Sequence, residues 1–147
     1  QHVLVLPKDH PLAAKERVSL EDLASEPIIT YHPSFTGRTR IDHAFAQKKL
    51  TPRIALEAID SDVIKTYVRL GLGVGIVAEM AVRDDTNADL AVRPMGHVFG
   101  QNIARVAFKR SAYLRNFVFK FAELLSDRLD RNLIAKALSG HQQDYEL

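Results

Sequence analysis

The chain has 147 residues, 46% of them hydrophobic and 26% charged, which is enough apolar material for a core. Its 20 basic and 18 acidic residues are mixed along the sequence, for a formal net charge of +2, and no long basic run offers a surface to nucleic acid. Cysteine is absent, which excludes disulfides and thiolate catalysis and fits a reducing cytoplasm.

Val3-Leu4-Val5-Leu6 predicts a short buried strand that stops at Pro7. His10-Pro11 forces an extended or turn conformation, because the residue before proline avoids the helical region. Ser19-Leu20-Glu21-Asp22 opens a short helix. Ser19 caps it, Asp22 completes a variant of the capping box, Leu20 and Leu23 face inward, and Pro27 ends it. Ile28-Ile29-Thr30-Tyr31 predicts the next strand and His32-Pro33-Ser34-Phe35 a loop. Thr36 then caps a helix whose apolar positions include Ile41, Ala44 and Phe45. The stretch 53–58 predicts a half-buried strand with Ile54 and Leu56 on one face.

Residues 60–79, DSDVIKTYVRLGLGVGIVAE, read as a helix, a glycine stop and a buried strand. Asp60 or Ser61 caps the helix by accepting from a free amide in its first turn. Val63, Ile64, Tyr67 and Val68 recur at the 3.6-residue period and form one apolar stripe. Gly71 suits the helix end because it enters the left-handed conformation without a Cβ clash. Val74-Gly75-Ile76-Val77 is uniformly apolar, the pattern of a strand covered on both faces, as in a parallel sheet. A polar bend follows over 83–89, then a short strand, Leu90-Ala91-Val92, closed by Pro94. Residues 112–128 predict an amphipathic helix packing Leu114, Phe117, Val118, Phe121 and Leu125. The tail, 132–147, has room for one or two more helical turns. This βαβ alternation implies an α/β fold with a mainly parallel sheet flanked by helices. The apolar run after Leu70 is broken by Glu79 and is too short to span a bilayer. No signal peptide is visible, and a chain opening on Gln1 reads as a fragment or processed piece.

The loop Ser34-Phe35-Thr36-Gly37-Arg38 is the strongest site candidate. It joins a strand end to a helix N-terminus, where parallel α/β folds place their ligands, and free amides there favour an anion. Gly37 admits a ligand to the backbone, Thr36 adds a hydroxyl and Arg38 adds charge. On pattern alone Thr36 serves equally as a plain helix cap. Other candidates carry less. Asp60 and Asp62 read as a cap and a solvated neighbour, not a catalytic pair. The histidines show no metal-ligand spacing, and His10 and His97 read as surface or turn residues. Ser34 and Ser111 lack a GxSxG context. Lys65 and Arg69 read as solvent-facing cations on the polar side of their helix.

The string from Val63 to Gly75, VIKTYVRLGLGVG, resembles the effector domain of LysR-type transcriptional regulators, and within them the CysB-like branch, which controls sulfur assimilation and cysteine synthesis. Its companions stand in the family's order: His10-Pro11-Leu12-Ala13, Phe35-Thr36-Gly37-Arg38, Leu50-Thr51-Pro52-Arg53-Ile54 and Arg110-Ser111-Ala112-Tyr113-Leu114-Arg115. The resemblance weakens after about Asp130. It implies a type II periplasmic-binding-protein-like (Rossmann-like) fold, with residues 1–95 as effector-binding subdomain II. Residues 96–102 then form a crossing, and a C-terminal strand-helix segment, the strand over 103–108 and the 112–128 helix, returns to subdomain I, so that 96–147 is crossover plus the C-terminal part of that subdomain. The first part of subdomain I and the winged helix-turn-helix that binds DNA lie outside this sequence.

The resemblance places the family's anion-binding threonine at Thr36. His32-Pro33 departs from the Thr-Phe-Gly common in the branch. It also implies an acetylserine-type inducer, with sulfate or thiosulfate as a further ligand, and no cofactor or catalysis. DNA contact runs only through the absent N-terminal domain. The full-length protein would be a cytoplasmic homodimer or homotetramer whose subunit interface uses Val63, Tyr67 and Leu70. The alternative is a solute-binding protein of a transport system, which shares the fold.

Overall fold

The computed structural model describes residues 1–82, 88–101, 105–109, 113–126 and 128–139, in two units that span 1–102 and 103–147. In the first unit five strands form one sheet: β1 (His2–Pro7), β2 (Pro27–Tyr31), β3 (Arg53–Ala58), β4 (Val74–Ala78) and β5 (Leu90–Pro94), in the order β3-β2-β4-β1-β5. β2 runs parallel to β3 and β4, whereas β1 runs antiparallel to both its neighbours, β4 and β5. The sheet is therefore mixed where the sequence suggested a mainly parallel one. Among the described residues no helix is long and apolar enough to cross a membrane.

Helices cover both faces. On one, Ile41, Ala44 and Phe45 of α2 (Thr36–Gln47) and Leu20 and Leu23 of α1 (Leu20–Ala24) pack on Leu4, Leu6, Ile28, Val74 and Ile76. The other is covered by Ile64 and Val68 of α3 (Ser61–Arg69), over Val3, Val5, Ile29 and Val77. β4 is thus buried from both sides, as its unbroken apolar run requires. The capping box forms as read: the Ser19 amide donates to Asp22 Oδ2 at 2.8 Å and the Asp22 amide to Ser19 Oγ at 3.2 Å. Asp60, rather than Ser61, caps α3, accepting from the Asp62 amide at 2.6 Å. Gly71 ends that helix with φ of 74°. Its amide donates to the Val68 carbonyl at 2.9 Å and the Leu72 amide to the Tyr67 carbonyl at 3.1 Å, a complete Schellman closure.

Gly75 sets the spacing between α3 and the sheet. A Cβ there would lie 2.6 Å from Val5 Cγ2, 2.8 Å from Val68 Cγ2 and 3.0 Å from Ile64 Cγ2.

Several expectations need correction. Ile28 pairs with Ile54 but Ile29 with Leu56, so Ala55 is an extra residue in β3. The bulge sends Ile54 to the core under α2 and Leu56 to the core under α3, instead of one shared face. Lys65 is buried, not solvent-facing. Its ammonium donates to the Ala81 carbonyl and pairs with Asp62, both at 2.8 Å, so its stem packs while its head is satisfied. Arg69 pairs with Asp89 at 2.6 Å, and that ion pair holds the Asp89 carboxyl below its ordinary value. Residues 96–99, read as part of a crossing, form a short helix, α4 (Gly96–Phe99), because Met95 and Phe99 bury in the α2-side core. Most of the polar bend, residues 83–87, lies outside the described residues.

In the second unit α5 (Asn116–Leu125) and α6 (Arg131–Leu138) bury Phe119, Ala122 and Ile134 together. Phe117, Phe121 and Leu125 of the apolar stripe are exposed, as a helix without the sheet it packs on requires; the described residues of this unit supply no sheet. The strand expected over 103–108 is not seen at 105–108, since a strand needs a neighbour to bond with and the described residues of this unit supply none. Ile103 and Ala104, residues 110–112 of the family-like motif and the tail 140–147 lie outside the described residues.

Candidate functional site

β2 and β4 run parallel and end at the same edge of the sheet, and β1, being antiparallel, begins there, with His2 opposite Ala78. This carboxyl edge is where open α/β sheets hold ligands. The end of β2 is well fixed. The Tyr31 hydroxyl lies 2.7 Å from Ser61 Oγ and accepts from the Ala78 amide at 3.1 Å, tying β2 to the start of α3 and the end of β4.

The predicted loop residues meet here in different roles. Phe35, not Thr36, is the N-cap residue of α2, with extended backbone at φ −89° and ψ 133° and no side-chain cap bond. Its carbonyl takes the Arg38 amide at 3.0 Å. Thr36 is the first helical residue, so its hydroxyl is not spent on capping. The amides of Thr36 and Gly37 and the Thr36 hydroxyl have no hydrogen-bond partner among the described residues. Such uncommitted donors at the positive end of a twelve-residue helix suit an anion. Ser34 folds back on His32, whose Nδ1 lies 2.9 Å from Ser34 Oγ and accepts the Ser34 amide at 3.2 Å. Phe35 stands partly exposed, its ring 5.8 Å from that of Tyr31.

Arg38 does not offer its charge to the loop mouth. Its guanidinium is buried and donates to Asp42 Oδ1 and Glu57 Oε1 at 2.7 Å each and to the Tyr31 carbonyl at 2.9 Å. Burial opposes the charge, but the hydrogen bonds it donates to Asp42 and Glu57 outweigh it and hold the group above its ordinary pKa. Arg38 therefore clamps α2, β3 and the end of β2, a use that an isolated FTGR string does not reveal.

The sequence reading passed over His2. It is 1% exposed, with its ring edge-on to Phe99 and its Nε2 edge against Gly37. Burial lowers its pKa, and Arg40 adds to this. The available signal was a histidine opening an apolar strand.

On α3, Leu70 is 67% and Val63 40% exposed, and Tyr67 is half-buried, so the three interface candidates share an open face one turn apart.

Residues 1–130 match the LysR substrate binding domain. The HTH-type transcriptional regulator CysB of Burkholderia cenocepacia is 53% identical over 99% of this chain and 47% of its own length. SsuR of the same organism, also an HTH-type transcriptional regulator, is 42% identical over 93% of this chain and 44% of its own. Among solved structures, the cofactor-binding domain of the Cbl transcriptional regulator superposes with a TM-score of 0.77 at 39% identity, covering 93% of this chain and 60% of that one. The chain thus spans about half the length of these curated relatives. They are regulators of transcription, which displaces the alternative of a transport solute-binding protein. The fold is the periplasmic-binding-protein-like type II fold of LysR effector-binding domains. Because the match takes in the whole five-stranded sheet and runs on through α5, the chain belongs to the LysR substrate-binding domain family.

Proposed function

We propose that this chain is the effector-sensing part of a LysR-type regulator of sulfur assimilation, and that its effector carries an oxyanion held by Thr36 and Gly37. The observation that carries the reading is the set of uncommitted donors at the start of α2, at the carboxyl edge of the sheet. The similarity to regulators named CysB and SsuR supports the sulfur connection. An acetylserine-type inducer, sulfate and thiosulfate all present such an oxyanion. Ser34, Phe35 and the backbone at Arg38 shape the loop around it. In this reading residues 1–95 are one effector-binding subdomain, and 96–147 are the crossover and the end of the other. The effector stabilises one orientation of the two, and a DNA-binding domain outside this chain reads the shift. No catalytic step is involved.

Calorimetric titration of the full-length regulator with sulfate tests the site. A charge-assisted hydrogen bond is worth roughly 1.5–3 kcal/mol, so Thr36→Ala is expected to weaken sulfate about tenfold to a hundredfold. Since Thr36 does not cap α2, its melting temperature should hold. Wild-type affinity in a folded Thr36→Ala protein would remove Thr36 from the site.

The open face of α3 is proposed as a subunit interface, in a homodimer or homotetramer. Full-length protein carrying Tyr67→Glu is expected to lose oligomer mass in light scattering, because a carboxylate would be buried there without a partner. An unchanged mass would count against the interface.

A further inference from the structure

We infer that His2 is a ligand-contacting residue of the same site, donating from Nε2–H to an oxyanion seated on the Thr36 and Gly37 amides. The inference rests on the anion-site reading above and adds a residue from a different element. Topology places His2 there. Only because β1 runs antiparallel to β4 does its first residue reach the edge where β2 ends and α2 begins.

The ring is aimed at the helix start. A Cβ on Gly37 would lie 3.0 Å from His2 Nε2 and 3.7 Å from Cε1, so the absence of a side chain at Gly37 lets the imidazole edge reach the backbone. His2 Nδ1 is buried without a hydrogen-bond partner. Buried polar atoms are nearly always paired, and a bare N–H is rarer than a bare lone pair. The proton therefore belongs on Nε2, and Nδ1 carries the lone pair. Edge-on packing against Phe99, with centroids 5.8 Å apart, holds the ring in this orientation.

The start of α2 then gathers several donors: the His2 Nε2–H against Gly37, the amides of Thr36 and Gly37, and the Thr36 hydroxyl. Within the chain, the charged side chain felt at His2 is the Arg40 guanidinium, which is positive. A cluster richer in donors than in acceptors, beside the Arg40 guanidinium, fits a ligand with several acceptor oxygens better than a cation.

Sulfate titration of the full-length regulator decides the matter. His2→Leu is expected to bind sulfate about tenfold or more weakly than wild type, with an unchanged or raised melting temperature because the unpaired nitrogen is gone. His2→Gln, which carries an N–H to a similar reach, is expected to recover most of the affinity. In the wild type, histidine-selective ¹⁵N spectra should show the Nε2–H tautomer and a shift of Nε2 on adding sulfate. Wild-type affinity in His2→Leu, with Thr36→Ala still impaired, would overturn the role of His2 alone. Unchanged affinity in both would overturn the site itself. If His2→Leu fails to fold, the wild-type spectra decide, and an unshifted Nε2 at saturating sulfate overturns the contact.

Discussion

Gly75→Val is expected to shift the urea unfolding midpoint down by more than any single cavity-neutral change in the unit, and further than Gly75→Ala. α3 lies on β4 at a distance fixed by the bare Cα of Gly75, since even one methyl group there would meet Val5 at 2.6 Å and Val68 at 2.8 Å. Both neighbours are fully buried and have nowhere to go, and Ile64 closes the third side at 3.0 Å. Overpacking of a dense core costs about 1–3 kcal/mol for small insertions. Gly75→Ala is therefore expected to cost about 2 kcal/mol. Valine adds two further methyl groups at the most crowded point of the unit, for about 3 kcal/mol or more against a total stability of about 5–15 kcal/mol. Urea titration followed by circular dichroism measures both. A Gly75→Val protein with a wild-type midpoint would mean that α3 is free to ride away from the sheet, contrary to its packing.

Arg38→Ala is expected to cost about 3 kcal/mol and to weaken sulfate as well, although the guanidinium points away from the proposed ligand. The side chain is 9% exposed and serves the Tyr31 carbonyl, Asp42 and Glu57 together. Breaking a buried ion pair costs about 3–5 kcal/mol, and the lower figure applies because Asp42 and Glu57 are 45% and 35% exposed and regain water when the arginine leaves. Arg38→Lys separates a clamp from a ligand charge. An ammonium keeps the charge but cannot form the planar fork, so stability and affinity should both fall nearly as far as in alanine. Wild-type sulfate affinity in Arg38→Lys, measured with a urea midpoint on the same preparation, would return Arg38 to direct contact with the anion.

Local chemistry made much of the fold legible. The capping box at Ser19, the cap at Asp60, the stop at Gly71 and the double burial of β4 each follow from a few adjacent residues. What the sequence hid depends on partners far along the chain. Ala55 looks like any strand residue until its pairing with β2 shows the bulge. Lys65 reads as a solvated cation by its charge but is drawn inward by the Ala81 carbonyl sixteen residues away. α5 offers apolar residues on more than one face, and the helix it meets, α6, decides which is buried. The candidate loop was found, but the division of labour within it was not. Whether Thr36 caps or binds turns on the backbone of Phe35, and the destination of Arg38 turns on Glu57 of another strand.

The placement of β1 between β4 and β5 also governs when this unit can form. Val3 pairs with Val77 on one side and with Pro94 on the other, so the second strand from the edge, and the longest-range partner in the sheet, is the first to be made. A ribosome adding about 5–20 residues per second exposes the apolar run 3–6 for several seconds before either neighbour emerges. Closing loops of that length before any pairing is rewarded slows folding. Until β4 is out, β2, β3 and α2 can assemble, while β1 waits as an unpaired hydrophobic strand, the segment on which a chaperone would act and from which aggregation would start.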